Sequence, residues 1–187
     1  MKKTLLIVMM GLWLGSAITP AQAFSGACRW VAKMAGPAYS AQPERVASFL
    51  APEALPAALN LSLLERSGAW FIYQTPESWF SNETCAPVQK TVDEQRFEFA
   101  PVLLNAASGR NAVITPSFMI KTYQKDDLEK MAERYGFKLL TLLPRGSAAI
   151  FDVGAVSSYD RMLEKLDRDK DVQFAAPVLA EPRYRLR

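Results

Sequence analysis

Apolar side chains recur at helical spacing twice in the last third of the chain. Over residues 126–135 they fall on Leu128, Met131, Ala132 and Tyr135; over 158–166 they fall on Tyr159, Met162, Leu163 and Leu166. Each set runs i, i+3, i+4, i+7, which gathers it on one face of an α-helix. Gly136 stands just past the first helix, where a left-handed cap closes a C-terminus, and Ser157 with Asp160 reads as an N-cap and its acidic partner. Glu129, Lys130, Glu133 and Arg134, like Glu164, Lys165 and Arg168, fall away from the apolar stripes and read as solvated faces.

Around these helices, the apolar runs 118–123, 137–143, 148–153 and 172–175 have strand character, and Pro144, Arg145 and Gly146 mark a hairpin turn between the middle two. The order strand, helix, strand, strand, helix, strand with right-handed crossovers predicts an α+β fold over 112–176. Its expected form is a ferredoxin-like βαββαβ antiparallel sheet with both helices on one face and the other face bare.

Residues 24–111 read as a mixed α/β region. Helices are expected over 43–50 and 55–65, strands over 70–73 and 97–103, and a turn over 105–111 that leads into 112–122 and packs the halves together. Phe97-Glu98-Phe99-Ala100-Pro101-Val102-Leu103 echoes Val172-Gln173-Phe174-Ala175-Ala176-Pro177-Val178-Leu179, each with an apolar strand upstream at similar distance. An incomplete duplication, or chance similarity between two edge strands, accounts for the echo.

At the N-terminus Lys2 and Lys3 precede an apolar stretch over 5–18, and Ala21-Gln22-Ala23 supplies small residues for cleavage. This is the pattern of a secretory signal peptide over 1–23, too short for a spanning helix, and it predicts a periplasmic or secreted protein off the membrane after cleavage. The Asn82-Glu83-Thr84 sequon carries little weight behind a signal of bacterial type. In an oxidising compartment Cys28 and Cys85, the only two cysteines, are expected to pair. Without the two signal lysines the chain keeps 20 basic against 19 acidic residues. The one basic cluster, Arg183, Arg185 and Arg187, is too small to predict nucleic-acid binding.

There is no histidine anywhere. That removes Ser-His-Asp and Cys-His catalysis and most zinc sites. Asp126 and Asp127 belong to the first turn of a helix, where acidic residues favour the macrodipole, and the glycines stand singly at turns rather than in a phosphate-binding loop. The expectation is a protein that is not an enzyme and needs no cofactor or metal.

The segment from Phe118 to Arg187, with its paired helices and its closing Val172-Gln173-Phe174 strand and Arg-rich tail, resembles the propeptide of subtilisin-like serine proteases. That resemblance implies a bare sheet face that covers a protease and a C-terminal segment that lies in its substrate cleft. No catalytic domain follows here, so the expected role is that of an external chaperone and inhibitor of a separately encoded subtilase. The tail, 177–187, carries Pro177 and Pro182, which disfavour helix. In an extended tail Arg183, Arg185 and Arg187 project to one side, and Tyr184 and Leu186 to the other. With Arg187 in the primary specificity pocket, Tyr184 falls at the fourth subsite, implying a partner that cleaves after basic residues, as the kexin-like branch does. A solvated terminus is the other reading of the tail. Expected cleft contacts are therefore Pro182, Arg183, Tyr184, Arg185, Leu186 and Arg187. On the sheet face the candidates are Phe174, Asp152 and Glu181; the last two stand in for the acidic residues such propeptides carry just after the final strand, where this chain has Ala176 and Pro177. A periplasmic interaction module of an envelope assembly, unrelated to proteases, is the alternative function.

Overall fold

A computed structural model describes residues 26–80, 84–144 and 146–181. The signal segment, Asn82 of the sequon, Arg145 of the hairpin turn and the tail residues 182–187 lie outside them. The first half contains helix α1 (Arg29–Ala35) and strands β1 (Tyr39–Ser48), β2 (Ser62–Ser67), β3 (Trp70–Gln74), β4 (Val88–Val92) and β5 (Gln95–Asn105). The second contains β6 (Arg110–Thr122), α2 (Asp127–Tyr135), β7 (Lys138–Leu142), β8 (Ala148–Asp152), α3 (Tyr159–Asp167) and β9 (Val172–Ala180).

The fold is α+β, with one nine-stranded sheet whose described pairings are antiparallel. A self-contained four-strand ferredoxin-like sheet, which the periodicity predicts, is not what forms. The long strand β6 belongs to both halves: residues 110–113 pair with β5, residues 117–121 pair with β8, and β9 runs along the other edge from 113 to 122. An alternating strand of this length can serve both halves of the sheet because its inward residues, Ala112, Ile114, Phe118 and Ile120, stay buried throughout.

The two expected helices of the second half form. Leu128 and Met131 in α2, and Tyr159, Leu163 and Leu166 in α3, are buried against Phe118, Ile120, Ala149 and Phe151. Gly136, at φ 71°, caps α2 and donates to the carbonyls of Ala132 and Glu133. The cap of α3 is Ser158 rather than Ser157; its hydroxyl accepts from Arg161 N. Asp160 is turned away from its own helix and caps α1 instead: Oδ2 accepts from Arg29 N at 3.1 Å and Oδ1 from Val31 N at 3.0 Å.

The first half departs further from expectation. Residues 43–48 belong to β1, not to a helix, and Val46, Ala47 and Ser48 are buried by pairing with β3 and β5. Pro43 does not interrupt the strand, because it lies in a bulge between Ala41 and Val46, where a missing N–H leaves no ladder bond unmade. The second expected helix, over 55–65, is reduced to one short 3₁₀ turn at Ala57–Leu59, which follows another at Pro52–Ala54. Asn60 is left-handed at φ 49°, which ends the turn, and the apolar run behind it becomes β2.

One core layer runs under both halves, joining Val31, Val46, Tyr73 and Phe99 to Phe118, Phe151 and Leu163. The Cys28–Cys85 disulfide is formed and buried, with Cα atoms 4.6 Å apart. Beside it Tyr159 N donates to the Cys85 carbonyl at 2.6 Å, so α1, the chain at Cys85 and the start of α3 are tied at one place. Among the described residues no helix is long and apolar enough to cross a membrane.

Candidate functional site

The halves repeat one pairing scheme. Strands follow the order β2-β3-β1-β5 in the first and β7-β8-β6-β9 in the second. Val46, Ala47 and Ser48 face Tyr73, Ile72 and Phe71, as Phe118, Met119 and Ile120 face Phe151, Ile150 and Ala149. On the other edge Val46 and Ala47 meet Pro101 and Ala100, as Phe118 and Met119 meet Pro177 and Ala176. Each proline stands opposite a bulge, at 41–46 in β1 and at 114–118 in β6, which spares the partner strand a bond that proline cannot donate. The outer strands match as well: the register slips at Leu64 in β2 and at Leu140 in β7.

This correspondence sets two equivalent sheet faces against each other, both on the side away from the helices. In the first half Ala47, Ile72, Ala100, Val102 and Val113 form a second buried cluster. Phe49 stacks on Trp70 across its end, with ring centroids 3.8 Å apart. Arg45 Nη1 donates to Asn111 Oδ1 at 2.7 Å, and Asn111 Nδ2 donates to Glu65 Oε1 at 3.0 Å. Strands β2 and β6 stand four places apart in the sheet order, about 19 Å in a flat sheet, beyond the reach of two such side chains. The first half is therefore strongly curled, and the polar chain closes its concave side.

In the second half the matching face is open. Met119 and Ile150 are half-buried where Ala47 and Ile72 are sealed, and Lys121 opposite Ala148 replaces the stacked Phe49 and Trp70. Ser117 and Thr141 stand where Arg45 and Glu65 are in the first half, so no polar chain spans it. The result is a half-exposed apolar surface of Met119, Ile150, Ala148 and Phe174, rimmed by Lys121, Lys138 and Asp152. Phe174 is 40 % exposed; Leu139 and Leu142 on the outer strand are exposed too, but they pair with Phe151 and Ala149 and so lie on the helix side of the sheet.

Two of the sequence candidates lie on this face. Phe174 is opposite Lys121 at one end and Asp152 opposite Ser117 at the other, so the structure places them on one surface without bringing them together. Asp152 Oδ1 also accepts from Gly154 N at 2.8 Å, which shapes the turn after β8. Glu181 is elsewhere: its carboxylate is turned to the first half and hydrogen-bonded there. The candidates Pro182, Arg183, Tyr184, Arg185, Leu186 and Arg187 lie outside the described residues. The first four residues of the expected tail, 177–180, are strand, because the bulge in β6 lets β9 continue past Pro177. Met119, Lys121 and Ile150 had no signal of their own in the sequence; only alternation along β6 and β8 could have marked them as outward.

Among the described residues no group of three histidine, cysteine or acidic side chains is placed to hold a metal ion. Asp160 is a buried carboxylate at the junction of α1 and α3. Burial pushes its carboxyl pKa up, against the lowering effect of the N–H groups of Val31, Trp30, Arg29 and Cys28. No protein-family model, curated protein or solved structure matches this chain.

Proposed function

We propose that the protein is an exported chaperone and inhibitor of a separately encoded subtilisin-like serine protease, one that cleaves after basic residues. The open face of β6, β8 and β9 docks on the protease, and residues 182–187 enter its substrate cleft. Docking on a preformed sheet lowers the barrier to assembling the protease domain, and the tail then blocks the cleft. The observation that carries the reading is the contrast between the centres of two equivalent faces, Ala47 and Ile72 sealed by the chain's own residues in one and Met119 and Ile150 left half-exposed in the other. Contiguous exposed apolar surface of this kind marks an interaction site. The protease as partner rests on the resemblance of residues 118–187 to subtilase propeptides.

In the same reading, β6-α2-β7-β8-α3-β9 is a ferredoxin-like unit and β1–β5 is an incomplete second copy. The shared strand order, prolines and bulges support a duplication over chance similarity. Where the second copy has α2 and α3, the first has 3₁₀ turns with Leu59 and a stretch bearing Phe80 and Cys85, all packed on the same core.

The experiment is capture with residues 24–187 as bait in envelope and secreted extracts, followed by assay of the recovered partner. Near-stoichiometric recovery of a subtilase, with inhibition of its activity and a higher refolding yield on addition of the bait, is the expected result. Recovery of an unrelated envelope protein would replace the protease reading by the interaction-module one.

A further inference from the structure

Strand β9 does not end with the second half. Past Pro177 it continues along the far stretch of β6, where Thr115 Oγ1 donates to the Val178 carbonyl at 2.6 Å. Leu179 packs on the main core and Ala180 on the sealed cluster of the first half. At the strand's end, three donors converge on Glu181. Tyr39 Oη donates to Oε2 at 2.9 Å, and Asn105 Nδ2 and Ser108 Oγ donate to Oε1 at 3.3 and 3.4 Å. Tyr39 opens β1, Asn105 closes β5 and Ser108 lies in the turn before β6, so all three belong to the first half. Asn105 follows Pro101 at the same interval as Glu181 follows Pro177, so the ends of two matching strands hold each other.

We propose that Glu181 is an anchor through which the first half fixes the direction in which residues 182–187 are presented to a partner. This rests on the reading of that segment as the cleft-filling element, and it gives residues 24–111 a task beyond completing the core. Each backbone residue held in one conformation before binding is one whose freedom need not be lost on binding. A carboxylate with three donors holds residue 181. With the anchor cut, residue 181 would no longer be held in one conformation, and the bound state would be reached less often. Tyr39, Asn105 and Ser108 are positioning residues in this scheme, since they act through Glu181.

Trypsin is a probe that needs no knowledge of the partner. Cleavage after Arg183 requires the protease to take up residue 181 in extended form, so the anchor should slow it. The initial rate of loss of residues 184–187, read by intact mass, is expected to rise about fivefold in Tyr39→Phe and in Glu181→Ala. In the Glu181→Ala background, Tyr39→Phe should add nothing further, because the hydroxyl has lost its acceptor. Glu129→Gln, on a solvated helix face, should cleave at the wild-type rate. Unchanged rates in both single variants, or effects that simply multiply in the double variant, would overturn the anchor. Tyr39→Phe removes only one oxygen and keeps the test valid should Glu181→Ala lose stability. Against a captured subtilase, Tyr39→Phe should weaken inhibition by the full chain and leave binding by a chain ending at Glu181 unchanged. If the wild-type protein inhibits no subtilase, the protease reading fails while the trypsin rates still decide the anchor.

Discussion

Ile72 and Ile150 hold the same place in the same pairing scheme, yet one has no exposed surface and the other is half-open. The difference lies in the neighbours. Around Ile72 the chain supplies Phe49, Trp70 and the Arg45–Asn111–Glu65 hydrogen bonds; around Ile150 it supplies Lys121, Ala148, Ser117 and Thr141. A sheet has two faces, and only one of them is used by the helices. The other must curl on itself, meet water or meet a partner. In this molecule the first half curls and the second remains available.

The hardest test of that contrast is to place a charge at both positions. Ile72→Asp buries an unpaired carboxylate and should cost about 4 kcal/mol or more, enough to leave little folded protein. Ile150→Asp should cost about 1 kcal/mol and leave the urea transition cooperative. Equal losses would mean that the second face is not open.

Next in size is the disulfide of the first half, beside which α3 is hydrogen-bonded at Cys85. Replacing Cys28 and Cys85 by serine frees a long loop and should cost about 2–4 kcal/mol in the same denaturation assay. Asp160→Ala leaves the first N–H groups of α1 without their acceptor and should cost about 1–2 kcal/mol. A cost near zero would mean that α1 is held by its packing alone.

A gentler experiment exchanges the rims. Lys121→Phe with Ala148→Trp copies the stacked pair of the first half onto the second. Stability should change by less than about 1 kcal/mol, while binding to the captured partner should weaken by about tenfold or more. Unaltered binding would remove the open face from the proposed interface.

The smallest effect concerns pH. Asp169 is subject first to burial, which raises its pKa, but the N–H of Asp171, the Tyr135 hydroxyl and the Arg134 guanidinium together hold it below its ordinary value. Its folded pKa is depressed, so its contribution is present above the unfolded value and is lost as pH falls through the folded one. Asp160 has the opposite sign: its folded pKa is raised, so stability falls as pH rises from the ordinary carboxylate range through the raised value. Between pH 6 and 3 the Tm of Asp169→Asn should therefore fall less than that of the wild type, and the Tm of Asp160→Asn should fall more. The reverse order would contradict both assignments.

Some of this architecture is legible in the chain and some is not, for physical reasons. Helices α2 and α3 show themselves because each buries one stripe against one sheet, and burial of a single face imposes the 3.6-residue period. The disulfide is readable because two cysteines allow only one pairing, and the signal-peptide pattern predicts a compartment in which it forms. Residues 43–50 mislead because Val46 and Leu50 lie four apart, as on one helix face; β3 and β5 on either side make 43–48 strand regardless. Asp160 misleads in another way. Its spacing from Ser157 suggests a local cap, whereas its carboxylate serves a helix that starts at Arg29, far away in sequence.

By itself the sequence determined the elements marked by a local pattern: two amphipathic helices, the hairpin of β7 and β8, the strand runs of the second half and the one possible cysteine pair. Tertiary structure alone decided the rest. It made β6 a strand of both halves, curled the first sheet until Glu65 met Asn111, and led β9 across to leave Glu181 beside Tyr39. Those outcomes depend on contacts between residues distant in the chain, whose energies exist only once the strands have paired. A period of two or 3.6 residues reports which side of an element is buried, and it carries no information about what lies against that side.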